Sequence, residues 1–526
     1  MIQRKTQTPS YWGEAFEVTQ EDLQYLSTLL VEEELPRSAE ELGQALVLQH
    51  CRREETLIEQ MLSQGTPYQP RKSYDVGERV VFPQLEYRVG EVVDERPGHN
   101  PEYNPFSVIR VQFSDDDERE FAAELEDDEL SLNQETSTSG SDDALSPEEL
   151  AEVYGSQVGD RLEEHLESND NFVRLAGEWF PKDLLVDVHV GHLNLAEARL
   201  DMEGGGPMPT EALLGDLELP EEITPQLRTF SLNYAIQEDD RFDEVGPAGQ
   251  VLWYLRDLEP KWVKSTPPYL EYDPIEYDPA LLTSEMLALR QRLDDEWSDI
   301  EPPDEVEEPV AITLTYPHWK SGTLPLSSRL SQVFPTGRTH RIRFTIIDKR
   351  SDEEMEGWVV REKRYVYGLG DWYEENKIPV GAYLEVAQGE EPGTVTVAMQ
   401  RPRPRQEWIR VIFVPQGEIR FEMRKERISC DYDELMIVTE ESPNALDSAR
   451  TRIEEENITL EAIVADFFPE LAKLSPQGTV HAVTLYSAVN TVMRTPPGPL
   501  LAELVSNKSY APVGDNYWVL RKISSA

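Results

Sequence analysis

The apolar positions change period several times along the chain. Between residues 8 and 65 they fall at helical spacing. Leu23, Leu26 and Leu30 share one face behind a capping Thr19, and Leu42, Ala45 and Leu46 follow the capping box that runs from Ser38 to Glu41. A helical pair that docks on a neighbour is expected here. From 74 to 125 the period shortens to two. The runs ERVVFP, YRVGEVVDE and FSVIRVQF, broken by Gly, Pro and Asn, predict a small antiparallel barrel. Helical spacing returns in 171–256. Leu195, Ala198 and Met202 follow Asn194, Leu213, Leu214 and Leu217 follow Thr210, and Leu227, Phe230 and Tyr234 follow Thr224 and Pro225. The stretch RFDEVGPAGQVLWYL then predicts a hairpin with Trp253 and Leu255 on one strand face.

Alternation resumes in 311–440, where HRIRFTIID, GWVVREKRYVYG, EWIRVIFVP and IRFEMRKERIS predict a β-rich domain. The helix–hairpin order then recurs in 456–522. Helices are expected behind Thr459, Thr484 and Pro499, and SYAPVGDNYWVL should form a hairpin with Trp518 and Leu520 facing inward. Three helices and a hairpin make a winged helix, so two are predicted. Their tryptophans should close the core, which removes Trp253 and Trp518 from the candidate site residues.

Composition fills in the spaces between these segments. At 526 residues the chain is too long for one core. The expected fold is multidomain α+β: an N-terminal helical pair, a small antiparallel β-barrel, a winged helix, a β-pseudobarrel and a C-terminal winged helix. Residues 115–152 hold sixteen acids and one base, so 126–170 is expected to be an acidic disordered linker. A Pro- and acid-rich bridge is expected over 257–310, with one capped helix inside 283–297. No run of 18 apolar residues occurs, and the first residues lack the apolar core of a secretion signal. Two cysteines, Cys51 and Cys430, without a CxxC, fit a reducing cytoplasm. No membrane partner is expected.

Three stretches carry resemblances. LNLAEARLDMEGGGPMPTEALL with DDRFDEVGPAGQVLWYL resembles the HARE-HTH winged-helix domains, including that of the RNA polymerase delta subunit; Arg241, Phe242, Gly246, Trp253 and Leu255 match that family's closing hairpin. The C-terminal copy keeps Tyr510, Gly514, Trp518 and Leu520 but lacks the Arg-Phe pair. The order YDVGERVVFP, YRVGEVVDERPG, FSVIRVQF resembles Tudor/KOW/CarD-like small barrels, which implies binding to proteins such as RNA polymerase. GWVVREKRYVYGLGDWYEENKIPVGAYLEV resembles the pseudobarrel DNA-binding domain of plant auxin-response factors and some restriction endonucleases.

Charge points to the same β-rich region. The chain has a formal net charge of −53, yet residues 338–427 hold 17 Lys/Arg against 16 Asp/Glu. Within this nearly neutral island, Arg338, His340, Arg341, Arg343, Arg361, Lys363, Arg364, Arg401, Arg403 and Arg405 are candidates for phosphate or base-edge contacts. The alternative is that they pair with acids elsewhere in this acidic chain. In the C-terminal copy Arg494 and Lys508 are added. The first copy offers only Arg228 near its third helix, a poor DNA face, so protein docking is expected there.

No catalytic signature appears. GxxxxGK[ST], GxSxG and HExxH are absent, His189 and His192 lack a close third ligand, and the acids of CDYDE lack the lysine that a nuclease needs. The expectation is a cytoplasmic, non-enzymatic, bacterial-type protein of transcription or DNA transactions, with no cofactor and no metal. Its expected partners are proteins, RNA polymerase among them, and double-stranded DNA through 324–440. Two alternatives stay open: an acidic scaffold or inhibitor that mimics nucleic acid, and a non-catalytic or divergent subunit of a nuclease or restriction-like system.

Overall fold

The protein is a mixture of helices and several sheets, one of them a curled half-barrel, in a computed structural model. It describes residues 4–521 apart from 86, 101–102, 114–116, 127–144, 176, 221 and 402–403. The chain divides into two compact units, one of residues 1–188 with 218–234 and one of residues 189–217 with 235–526. No helix among the described residues is long and apolar enough to cross a membrane.

In the first unit, α1 (Gln20–Glu33) is capped by Thr19, as the sequence predicts. The two-residue strand β1 (Arg37–Ser38) leads into α2 (Ala39–Leu62), where Ser38 and Glu41 form their capping box. Strands β2 (Thr66–Pro67), β3 (Arg79–Phe82), β4 (Arg88–Pro97), β5 (Ser107–Phe113) and β6 (Glu118–Ala123) form one sheet in chain order. Backbone bonds from Glu124 to Lys72 and from Leu125 to Pro70 bring its far edge back towards the first strands.

The expected linker over 126–170 is corrected in part: its segment 127–144 lies outside the described residues, but Pro147–Glu167 is helix α3, capped by Ser146 and Glu149. The acids of α3 lie on its exposed side, while Leu150, Val158, Leu162 and Leu166 are buried. Gly155 and Gly159, four apart, let α3 cross α2 closely: a Cβ on Gly43 would sit 2.2 Å from the Gly155 carbonyl oxygen. The unit's chain then forms a hairpin, β7 (Phe172–Leu175) and β8 (Glu178–Pro181), whose second strand pairs with β1 through Arg37 and Trp179. The expected domain start at 171 therefore separates this hairpin from the strand it pairs with.

The second unit opens with α4 (Val190–Met202), capped by His189 rather than Asn194. Next come β9 (Met208–Pro209) and α5 (Thr210–Leu214), and then α6 (Pro225–Gln237), within which the division between the units falls. Strands β10 (Phe242–Glu244) and β11 (Leu252–Leu255) form the predicted hairpin, and Met208 of β9 pairs with Trp253. Arg241 fixes the hairpin's base by donating to Asn194, 2.9 Å away, and by pairing with Asp239 and Glu197.

The bridge expected over 257–310 is no spacer. The short helix α7 (Lys261–Lys264) and helix α8 (Ser284–Leu293) lie within it, and Leu282, Met286 and Leu289 join the largest apolar core. Seven strands then form one sheet in the order β12-β17-β18-β14-β15-β16-β13. They are β12 (Val310–Thr313), β13 (Thr323–Pro325) after the short helix α9 (Tyr316–Ser321), β14 (Arg341–Asp348), β15 (Glu354–Val360), β16 (Tyr365–Tyr367), β17 (Tyr383–Gln388) after α10 (Gly370–Glu375), and β18 (Thr394–Met399). On β14, Ile342, Phe344 and Ile346 are buried while Arg341 and Arg343 are half-buried on the opposite face, which is the predicted alternation. Strands β19 (Arg405–Phe413), β20 (Arg420–Ile428) and β21 (Ile437–Glu440) make a separate sheet, followed by α11 (Pro443–Glu455).

The chain closes with α12 (Leu460–Ala472), β22 (Val480–His481), α13 (Ala482–Val489), α14 (Pro497–Ser506), β23 (Tyr510–Gly514) and β24 (Tyr517–Leu520). Val480 pairs with Trp518. Trp518 is buried, but Leu520 is 42% exposed, against the expectation that it faces inward.

One arrangement thus occurs three times: a helix, a two-residue strand, a second helix, a third helix and a hairpin. Each time the short strand pairs with the hairpin's second strand at a buried tryptophan, Trp179, Trp253 or Trp518. The first copy carries the five-stranded sheet between its second and third helices.

Candidate nucleic-acid interface

A cleft of about 390 Å³ lies in the second unit where the hairpin β10–β11, the α7 segment and the ends of β14 to β16 meet. Arg256, Lys264, Arg341 and Lys363 line it, against the carboxylates of Asp243 and Glu362. His340 adds a further nitrogen donor. Opposed carboxylates thus leave an excess of cation in a chain whose net charge is −53.

Local sequence explains this assembly. Val360 ends β15, and the cationic turn REKR leads straight into β16, so Lys363 sits at a sheet end rather than on the expected strand. Arg361 donates to the carbonyl of Gly337, which ties the turn to the segment carrying Arg338 and His340. Pro260 starts α7, and the ammonium of Lys264 donates to the carbonyl of Asp257 at 2.9 Å. Thr339 donates from its hydroxyl to the Arg341 carbonyl at 2.9 Å, which sets the approach to β14.

Beneath the cleft, Arg341 Nη1 lies 3.1 Å from Asp243 Oδ2 and 2.8 Å from Glu259 Oε2. The Glu259 side chain is fully buried. Burial, together with the neighbouring Asp243 carboxyl, pushes its pKa well above the ordinary carboxylate range, against the pull of Arg341. Glu244 nearby is also raised by burial, with Arg338 acting in the opposite direction.

The remaining candidates scatter. Arg343 is 3.5 Å from Glu356. Arg364 donates to the Glu296 carbonyl and stacks its guanidinium 5.2 Å from the Trp297 ring centroid. Arg401 and Arg405 both pair with Asp431, at 3.5 and 3.0 Å, and Arg403 lies outside the described residues. Lys508 is exposed, remote in sequence from the rest.

Arg494 requires correction. Its side chain is 2% exposed and bonds Asp295 Oδ2 and Glu296 Oε1, each at 2.7 Å, as well as Asn490. Burial works against this charge, but the two carboxylates outweigh it and hold Arg494 protonated. Glu296 also meets His318 Nε2 at 3.2 Å, and Tyr486 donates to Asp295 at 2.7 Å. Arg494 is therefore out of a ligand's reach, and it serves as the centre of a buried polar network. All eight residues of α13 are buried as well, so that helix has no free face to offer a groove.

Sequence reasoning missed Arg256 and Lys264, which lie outside the basic island. Their signal was the run of cations in LRDLEPKWVKS just after the Trp-x-Leu hairpin. His189 and His192 stack with ring centroids 3.8 Å apart, and His189 Nδ1 accepts from the Gly191 amide as the cap of α4. No protein-family model matches the chain, and no curated protein or solved structure does either.

Proposed function

We propose that this chain is a non-enzymatic, multidomain protein of transcription or DNA transactions. In this reading its three helix–hairpin modules are winged helices of the HARE-HTH kind that dock protein partners, and the cleft around His340 and Lys363 holds the backbone of double-stranded DNA. The observation that carries the reading is the sign of that cleft: cations outnumber carboxylates there in a strongly acidic chain. Docking of proteins, rather than groove reading, suits modules whose helices are either acidic near their ends, as in Glu238, Asp239 and Asp240, or buried, as in α13. RNA polymerase is the first partner to test.

The test is duplex binding by the full chain, read by fluorescence anisotropy across a salt series. Each phosphate neutralised steepens the slope of log K against log salt by about 0.9. The double variant Lys264→Glu, Lys363→Glu is expected to lose about two units of slope. Absence of duplex binding at low salt, or an unchanged slope in the variant, refutes the DNA part.

A further inference from the structure

One face of the hairpin β19–β20 carries an open indole among cations. Trp408 pairs directly with Lys425, Gln406 with Arg427, and Arg410 with Met423. Directly paired residues of antiparallel strands share a face, so these six side chains stand together, with three cations and no carboxylate. The next pair inward, Ile412 with Phe421, is buried in the largest core cluster. Outward from it the face opens, and Trp408 is 63% exposed. Gln406, Lys425 and Arg427 are exposed as well. Arg410 donates to the carbonyl of Glu434, so the inner end of the row is held in place.

The hairpin's other face is different in kind. Ile409, Val411 and Ile428 pack there with Tyr432 and Val438, and Glu407 and Glu426 alternate with them. An indole left open among cations on a rigid strand has no packing role. A protein-docking tryptophan is ringed by apolar neighbours that exclude water, whereas this one is ringed by Lys, Arg and Gln. In duplex DNA the base faces are already stacked; an unpaired base offers its face, and its phosphates meet the flanking cations.

We infer that the open end of the β19–β20 hairpin binds single-stranded nucleic acid, with a base stacked on Trp408 and phosphates on Lys425 and Arg427. The site is separate from the cleft at His340 and Lys363 and does not depend on it.

The probe is a fluorescein-labelled oligo(dT) of about fifteen nucleotides, with an oligo(rU) arm to distinguish DNA from RNA, titrated with the full chain at low salt. Loss of one base–aromatic stack weakens binding about tenfold or more. Trp408→Ala should show that loss, Trp408→Phe should keep most of the affinity, and Lys425→Glu should weaken binding and flatten its salt slope. Because Trp408 is exposed, these variants leave the core intact, and the Lys264→Glu, Lys363→Glu variant should bind oligo(dT) like the wild type. Failure of both oligonucleotides to bind, or wild-type affinity in Trp408→Ala, overturns the inference. The duplex titration is a separate readout, so failure at the cleft and failure at the hairpin are told apart.

Discussion

The three tryptophans share a register but not a hydrogen bond, and this difference can be measured. In the second copy Trp253 Nε1 donates to Thr210 Oγ1 at 3.1 Å, and Trp253 and Thr210 are each 1% exposed. Thr210 is the residue after the short strand β9. The corresponding residues after β1 and β22 are Ala39 and Ala482, which carry no hydroxyl. Accordingly, the indole nitrogens of Trp179 and Trp518 are buried and meet no acceptor among the described residues. Thr210→Val keeps the side chain's shape and removes the acceptor, so no cavity contributes to the cost. The expected loss is that of one buried hydrogen bond, about 0.5–1.5 kcal/mol. Ala482→Ser supplies the missing acceptor and should gain about 0.5–1.5 kcal/mol. Native-state hydrogen exchange reads each hairpin locally. Amides of β10 and β11 should exchange about 2- to 12-fold faster in Thr210→Val, by the equivalence of ~1.4 kcal/mol to tenfold, and those of β23 and β24 should slow in Ala482→Ser. If Thr210→Val leaves exchange in its hairpin unchanged, the equivalence drawn between the three copies is wrong.

Two further outcomes follow from buried charge. Arg494→Ala leaves Asp295 and Glu296 in the interior without their cation; removing one partner of such a network costs about 3–5 kcal/mol, visible as a lower urea midpoint of the second unit, and a shift below 1 kcal/mol would contradict it. His481 caps α13 by accepting from the Val483 amide at 3.1 Å through Nδ1, which needs that nitrogen unprotonated. Burial first, then Arg292 and Arg410, lowers its pKa from 6.5 to about 4. A histidine lowered in the fold contributes stability that is complete above about pH 6.5 and is lost as pH falls towards 4. At ~1.36 kcal/mol per pKa unit the loss approaches about 3 kcal/mol. Urea midpoints between pH 7 and 4 should show it, and His481→Asn should flatten the dependence.

What could be seen in the sequence divides by how local its cause is. Thr19, Ser38 and Thr459 were found as caps because a cap and its amide lie three residues apart. The second and third hairpins were found because Trp-x-Leu puts two apolar side chains on one strand face within three residues. The first copy stayed hidden for a physical reason: its short strand and its hairpin are separated by the five-stranded sheet and by α3, so Arg37 and Trp179 pair across more than a hundred residues. Helix α3 was obscured by its own acids, although Gly155 and Gly159, paired at helical spacing, marked the side that α2 covers. The cations were legible as a pattern, but their partners were not. Arg341 meets Glu259 82 residues away, and Arg494 meets Asp295 199 residues away. The bridge over 257–310 supplies both of those acids, which is why it looked like a spacer and packs as core. A cation whose acid is distant in sequence looks free, so counting Lys and Arg by segment overstates the surface available to phosphate. The pattern of alternation does better than the count. In EWIRVIF, Ile409 and Val411 are buried on one face and Ile412 on the other, and alternation sets exposed Trp408 on the face that Ile412 begins. That face runs from the Ile412–Phe421 core to open solvent, and only the register with β20 reveals that Lys425 stands across from the indole.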